Sequence, residues 1–241
     1  MKDLPREIRR GVCQAKRLAA DWFSGPGRVL VSSGDTSGES FPVQLSLEQR
    51  VLPTEFVEAK IHNIGLAIKR MQNLLVPPLA IFSFWRVAGR PTRHRGFLPG
   101  RSLLGGKLVP DYGGGLCQLS GIIYHLSLLA GLEIIERHPH SRDIYDDHNR
   151  YTPLGADATV AYGFKDLRVG NNLPAPVCFR ATINSEKLKV MLCSPKKIEA
   201  HTVEFAIIKE VNGDRVVDTR QRHPSEKRFQ SLNISTYRRI S

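Results

Sequence analysis

Three glycines run into a cysteine at Gly113-Gly114-Gly115-Leu116-Cys117-Gln118-Leu119-Ser120. The apolar residues that follow (Leu119, Ile122, Ile123, Leu126, Leu129, Ala130) repeat with a helical period. A thiol in the first turn of a helix feels the positive end of the helix dipole and unpaired backbone N–H groups, both of which favour the reactive thiolate. Glycine adds close backbone approach by a ligand. The chemistry such a residue suits is acyl transfer, which needs a nucleophile, a base and donors for the developing oxyanion. Cys117 supplies the first. His138 and His140 follow about twenty residues later, and in an extended segment they point the same way, so either serves as the base. The backbone N–H groups of Cys117 and Gln118 are the natural oxyanion donors, with Gln118 and Ser120 side chains in support. Asp157 or Asp166 would orient a histidine, although an aspartate at a turn is more often a turn former.

Two other classes compete. Cys117, His138, His140 and a carboxylate make a conceivable zinc set, but the spacing matches no familiar signature. A basic cleft that holds anionic fragments without chemistry is the stronger alternative. The acyl-transfer reading requires neither a metal nor a cofactor.

The elements that must position these residues are partly readable. At about 100° per residue, Cys117, Ser120, Tyr124 and Leu128 fall opposite the core stripe of the central helix, which Gly131 ends. A basic helix is expected over 5–23 and a second helix over 56–75, stopped by Pro77-Pro78. Short strands are expected at 28–32 and 81–85. Residues 86–107, with six Lys and Arg and no acidic residue, read as a flexible positive loop beside the glycines that gathers substrate. A strand at 132–136 precedes the histidines, and 143–149 reads as an exposed polar loop. From 158 onward the chain reads as β, with strands at 159–162, 167–169, 176–183 and 188–192. A hairpin follows about Asn212-Gly213, and the basic tail from Pro224 is expected to fray. The fold class is therefore α+β: N-terminal helices, a central helix carrying the Gly-Gly-Gly-Leu-Cys-Gln stretch at its start, and a mainly antiparallel C-terminal sheet. Three segments follow: a basic helix and linker over 1–55, the main domain over 56–195, and a hairpin and basic tail over 196–241.

Composition narrows the partners. The net charge of +12, from 35 basic and 23 acidic residues, suits nucleic acid, lipid headgroups or acidic wall polymers. No basic strand interleaved with aromatics is present to stack bases, so nucleic acid ranks last. Four cysteines (Cys13, Cys117, Cys178, Cys193) form no CxxC pair and no dense framework. Cys178 and Cys193 lie in β-rich runs and read as buried structural thiols. No apolar run reaches the length of a membrane span, and residues 1–20 lack the apolar centre of a signal peptide. The sequence therefore reads as cytoplasmic, with envelope association as the alternative.

Taken together, several stretches resemble the VanW family over about residues 61–190. They are Phe82-Ser83-Phe84-Trp85, the glycine–cysteine–glutamine run, Ala130-Gly131-Leu132, Glu136-Arg137-His138-Pro139-His140-Ser141, Gly155-Ala156-Asp157-Ala158-Thr159-Val160 and Lys165-Asp166-Leu167. The resemblance implies a role at the bacterial cell envelope and, by a proposal made for the family domain, a cysteine-dependent L,D-transpeptidase that joins peptidoglycan stem peptides. It gives Cys117 the nucleophile role and a histidine of 138–140 the base. The implied substrate-binding set is Gly113, Gly114, Gly115, Gln118, Ser120, Arg137, Ser141 and Asp157. The implied partner is a peptidoglycan precursor or stem peptide, with an anionic membrane or wall surface as a further one.

Overall fold

The computed structural model describes residues 5–23, 32–33, 41–72, 74–104, 107–143 and 150–239. In chain order the elements are α1 (Arg6–Phe23), β1 (Ser32–Ser33), β2 (Val43–Arg50), α2 (Val57–Met71), β3 (Leu74–Leu75), β4 (Ile81–Ser83), α3 (Phe84–Ala88), a 3-10 turn (Arg93–Arg95), β5 (Pro99–Leu104), β6 (Lys107–Tyr112) and α4 (Leu116–Leu129). They continue with β7 (Glu133–Glu136), β8 (Arg142–Asp143), β9 (Arg168–Gly170), β10 (Cys178–Ile183), β11 (Lys187–Cys193), β12 (Thr202–Val211), β13 (Asp214–Arg222) and β14 (Gln230–Arg239). This is the α+β arrangement expected, with a C-terminal sheet that is antiparallel apart from its last pairing. Most of the expected strand at 28–32 (residues 28–31) and most of the polar loop, 144–149, lie outside the described residues. No helix among the described residues is long and apolar enough to cross a membrane.

Helix α4 is the hub. Its sequence is apolar on nearly every side, so burial is not confined to one stripe. Leu119, Ile122, Ile123 and Leu126 are sealed against α2 and the sheet ordered β10-β11-β2, where Ile64, Phe179, Leu188, Val190 and Leu192 meet them. Each such side chain contributes about 1.5–3 kcal/mol by leaving water. The opposite face, which periodicity alone would leave outside the core, is also covered: Ser120, Tyr124 and Leu128 are as buried as the stripe. The irregular segment 155–160 covers it at Ser120, and Arg137 lies over the Tyr124 ring. The Ser120 hydroxyl donates to the Ala158 carbonyl (2.6 Å), and Gly121 leaves room for Asp157 and Ala158 to run close by. The helix ends with paired bonds from Gly131 N–H to Leu128 O and from Leu132 N–H to Ser127 O, both 3.0 Å, the closure that a left-handed Gly131 permits.

The start of α4 is set by a pinned turn. Gly113 and Gly115 both have positive φ, +85° and +95°, and a side chain on Gly115 would strike the Lys60 stem. Asn63 of α2, fully buried, donates to Gly114 O (3.1 Å) and Leu98 O (3.0 Å) and accepts from Leu98 N–H (2.8 Å). One amide thus ties α2 to both the glycine turn and the chain entering β5.

Several elements depart from expectation. Residues 86–107 are not a loose loop: they form the end of α3, the 3-10 turn and most of a β5–β6 hairpin. Helix α2 stops at Met71, before Pro77. Residues 159–162 make no regular strand, only a bridge between Ala161 and Lys165. Strand β2, which no expectation covered, pairs with β11 from Val43 to Arg50; Leu45, Leu47 and Gln49 alternate along its inner face. Through Arg239 the tail does not fray, because β14 is the third strand of the C-terminal sheet and also pairs in parallel with β8.

Replacing Asn63 with Ala strips partners from three backbone groups, of which the Gly114 carbonyl is buried, so a loss of about 1–3 kcal/mol is expected in urea denaturation. An unchanged midpoint would show that the glycine turn holds itself.

Candidate functional site

Cys117 is half-buried in the first turn of α4, and its thiol donates to the Val160 carbonyl at 3.7 Å. The Cys117 sulfur and His140 are in side-chain hydrogen-bond contact. The other side of that imidazole is fixed: Nδ1 lies 2.6 Å from Asp157 Oδ2, which also accepts the His140 backbone N–H at 2.7 Å. A carboxylate can only accept, so Nδ1 carries the proton and Nε2 is left for the sulfur. The result is a line of thiol, imidazole and carboxylate.

Asp157 is held from behind. Its Oδ1 accepts from Arg137 Nη2 (2.9 Å) and from the Tyr237 hydroxyl (2.5 Å). The Arg137 guanidinium is itself sealed from water, with side-chain exposure of 1%. It stacks over the Tyr124 ring of α4 and donates to Asp157 O, Gly155 O, Ser235 Oγ and the Tyr237 oxygen. Tyr237 and Ser235 belong to β14, so the C-terminal sheet docks directly onto the back of the site.

The electrostatics follow from these contacts. Burial disfavours the Asp157 charge, but His140, Arg137 and Tyr237 outweigh it and hold the carboxyl well below the usual range. Burial likewise works against an imidazolium at His140, and Asp157 together with the Cys117 thiolate raises its pKa to about 10. For Cys117, burial pushes the thiol up, and the hydrogen bond and charge of His140 more than offset that, leaving it below an ordinary cysteine. The two groups thus favour one another's charged forms, shifting the balance toward a thiolate–imidazolium pair.

The other expected residues have varied places. Residues 137–140 are not a strand, so the two histidines diverge. His138 Nε2 bonds Glu136 Oε1 at 3.0 Å rather than Cys117. Glu136 also receives Arg17 of α1 (2.7 and 3.1 Å) and the Asp166 amide (2.9 Å). Despite burial, these partners keep its pKa at about 2. Asp166 orients no histidine; it accepts from the Ser83 hydroxyl (2.6 Å) and the Trp85 amide (3.1 Å) at the start of α3. Gly113, Gly114, Gly115, Gln118 and Ser141 line the cleft above Cys117, and Asp157 reaches it too. Gln118 is mostly internal, its side chain donating to Arg50 O (2.9 Å) and its amide to Gly115 O (2.9 Å). The second of the expected oxyanion donors is thus engaged within the turn. Ser120 and Arg137 face inward, on Ala158 and Asp157. Among the described residues no group of three or more His, Cys, Asp and Glu is arranged to hold a metal ion.

The cleft encloses about 1000 Å³. Its charged lining is Arg10, Lys60, Arg90, Arg93, Arg142, Arg150 and Lys165 against Asp111, Asp143 and Asp157. Asp143 is paired with Arg150, and Asp157 with Arg137. The positive segment 86–107 contributes Arg90, Arg93 and His94, whereas the Arg95 guanidinium lies against Gly89. Trp85, Tyr151 and Tyr162 add aromatic surface. Sequence reasoning missed Tyr237, Ser235 and Asn63 altogether. The alternation Ile234-Ser235-Thr236-Tyr237 was a strand signal for the first two; the Asn63 contact has no local signal.

Tyr237→Phe keeps the ring and removes the hydroxyl that bridges Arg137 and Asp157. It should cost about 1–3 kcal/mol by denaturant unfolding; no loss would show that Arg137 alone satisfies the carboxylate.

The chain can now be placed among known proteins. The family model described as VanW like protein matches residues 59–193, more than half of the chain. The uncharacterized protein YoaR of Bacillus subtilis (strain 168) is 32% identical over 163 residues, covering 66% of this chain and 52% of that protein. The vancomycin B-type resistance protein VanW of Enterococcus faecalis (strain ATCC 700802 / V583) is 31% identical over 145 residues, covering 60% of this chain and 53% of that protein. The chain therefore spans about half the length of the curated relatives it matches. No solved structure matches it. The matched span takes in the glycine turn, Cys117, His140, Arg137 and Asp157, and the chain belongs to the VanW family.

Proposed function

We propose that this is a cell-envelope protein that transfers acyl groups of peptidoglycan stem peptides through Cys117, an L,D-transpeptidase with His140 as base and Asp157 as its orienting partner. The observation that carries the reading is the Cys117–His140–Asp157 line at the floor of a cleft with excess positive charge. The name of the Enterococcus relative, a vancomycin B-type resistance protein, agrees with a role in the wall.

The steps balance within the residues present. The Cys117 thiolate attacks the carbonyl carbon of the donor peptide bond, and the oxyanion forms beside the first turn of α4, where the helix dipole favours negative charge. The C–N bond breaks as the His140 imidazolium gives its proton to the departing amine. An amine of a second stem peptide then attacks the thioester, His140 takes its proton, and the thiolate leaves. Arg93 and its neighbours would attract carboxylates of the donor, and the same charge suits an anionic wall or membrane surface. That excess charge also favours the second reading, a non-catalytic module that holds anionic wall precursors. In it, binding occurs without any bond to Cys117.

Incubation with tetrapeptide-stem muropeptides separates the two. A Cys117-linked acyl adduct in the intact mass, absent in Cys117→Ser and His140→Ala, is expected for transfer. Binding that persists in both variants with no adduct in the wild type supports the module instead.

Thiol reactivity tests the base. The thiolate is lost as pH falls through the depressed Cys117 pKa, so wild-type alkylation by iodoacetamide should persist below the range of a free thiol. His140→Ala should move that profile to higher pH and slow labelling at pH 7 by about tenfold or more. His138→Ala should leave it in place, and Cys178 and Cys193 should label last. A larger effect at His138 would reverse the assignment.

Arg93→Glu should weaken binding of anionic wall fragments several-fold at low ionic strength and much less at high salt. Equal binding at low salt would remove the positive segment from substrate capture.

A further inference from the structure

Away from the cleft, Cys178 and Cys193 sit directly opposite one another on the antiparallel pair β10–β11. Residues so opposed have Cα atoms about 4.5 or 5.5 Å apart, depending on their place in the ladder. Both separations fall within the roughly 4.4–6.8 Å that a disulfide spans. Neither residue has any exposure, and with Phe41 they form a small cluster of their own, flanked by Leu75 and Met191. The two sulfurs are in hydrogen-bond contact with each other. Here both are thiols. No other cysteine belongs to this cluster, and neither residue lines the cleft.

We propose that Cys178 and Cys193 are a disulfide site, closed across β10 and β11 when the chain folds in the presence of a small-molecule disulfide. One thiolate attacks the external disulfide and releases its first thiol. The second attacks the protein sulfur of that mixed disulfide and releases the other. Two electrons pass to the external disulfide, and the protein loses two hydrogens. Because both sulfurs are sealed in the folded chain, the exchange belongs to folding, before β11 closes over β10. The bond would lock the sheet against which α4 packs and leave Cys117 as the cleft's free thiol. The inference does not depend on the acyl-transfer reading.

The test uses the full chain with Cys13→Ser and Cys117→Ser, leaving only this pair. The reduced, unfolded protein is refolded in oxidised and reduced glutathione, and in parallel with dithiothreitol. The expected result is a loss of about 2 Da, the two thiol hydrogens, and a Cys178–Cys193 cross-linked peptide in an unreduced digest. The loop closed spans about 15 residues, so Tm should rise by about 5–10 °C over the dithiothreitol sample. That difference should vanish in Cys193→Ala. If refolding yields are poor, protein opened in part with urea in the same glutathione buffer and then returned to water gives the same mass readout, because the sulfurs are reached only when the strands separate. Two free thiols under both regimes, a stable glutathione adduct, or a bond that lowers Tm would each overturn the proposal.

Discussion

Asp157 is a carboxylate largely withdrawn from water, and the arrangement around Cys117 depends on how that charge is satisfied. Four donors meet it: the His140 amide and ring, Arg137 and Tyr237. A buried charge stripped of partners costs several kcal/mol, whereas one fully hydrogen-bonded can persist. Arg137 is buried more deeply still and equally committed, stacked on Tyr124 of α4. The pair therefore fastens three parts of the fold at one point: the central helix, the segment after β7, and the C-terminal sheet. His140 gains its orientation from that junction rather than from its own strand.

The second constraint is steric. The glycine turn before α4 needs left-handed backbone at Gly113 and Gly115, and Asn63 clamps it from α2. Cys117 is thus held from the amino side by the turn and from the far side by 155–160. In acyl transfer such double support is useful, because a nucleophile displaced by even 1 Å loses much of its advantage.

Much of this was legible in local pattern. The glycine–cysteine start of α4, its end at Gly131, the β-rich second half and the Asn212-Gly213 hairpin all rest on short-range chemistry. What escaped rests on contacts distant in sequence. Helical periodicity predicts a solvent-side face for Cys117, Ser120 and Tyr124, because it does not register that 155–160 folds over the first two and Arg137 over the third. The choice between His138 and His140 was open partly for the same reason: Asp157, in the segment covering α4, takes His140, whereas Glu136, at the end of β7 and close in sequence, takes His138. The positive run 86–107 reads as a loop from its glycines, yet pairing of β5 with β6 orders part of it. Strand β14 was hidden behind a basic composition that suggests a frayed end, although its inner positions alternate as a strand requires.

Tyr237 and Ser235 stand more than forty residues beyond the matched span 59–193. The limits of the family domain and the limits of the self-sufficient unit are therefore different. A fragment cut at residue 193 would keep Cys117, His140 and Asp157 but open the Arg137–Asp157 pair to solvent on one side. A change at Ser235 or Tyr237 would thus reach the thiol through Arg137, Asp157 and His140 without touching the residues that surround it.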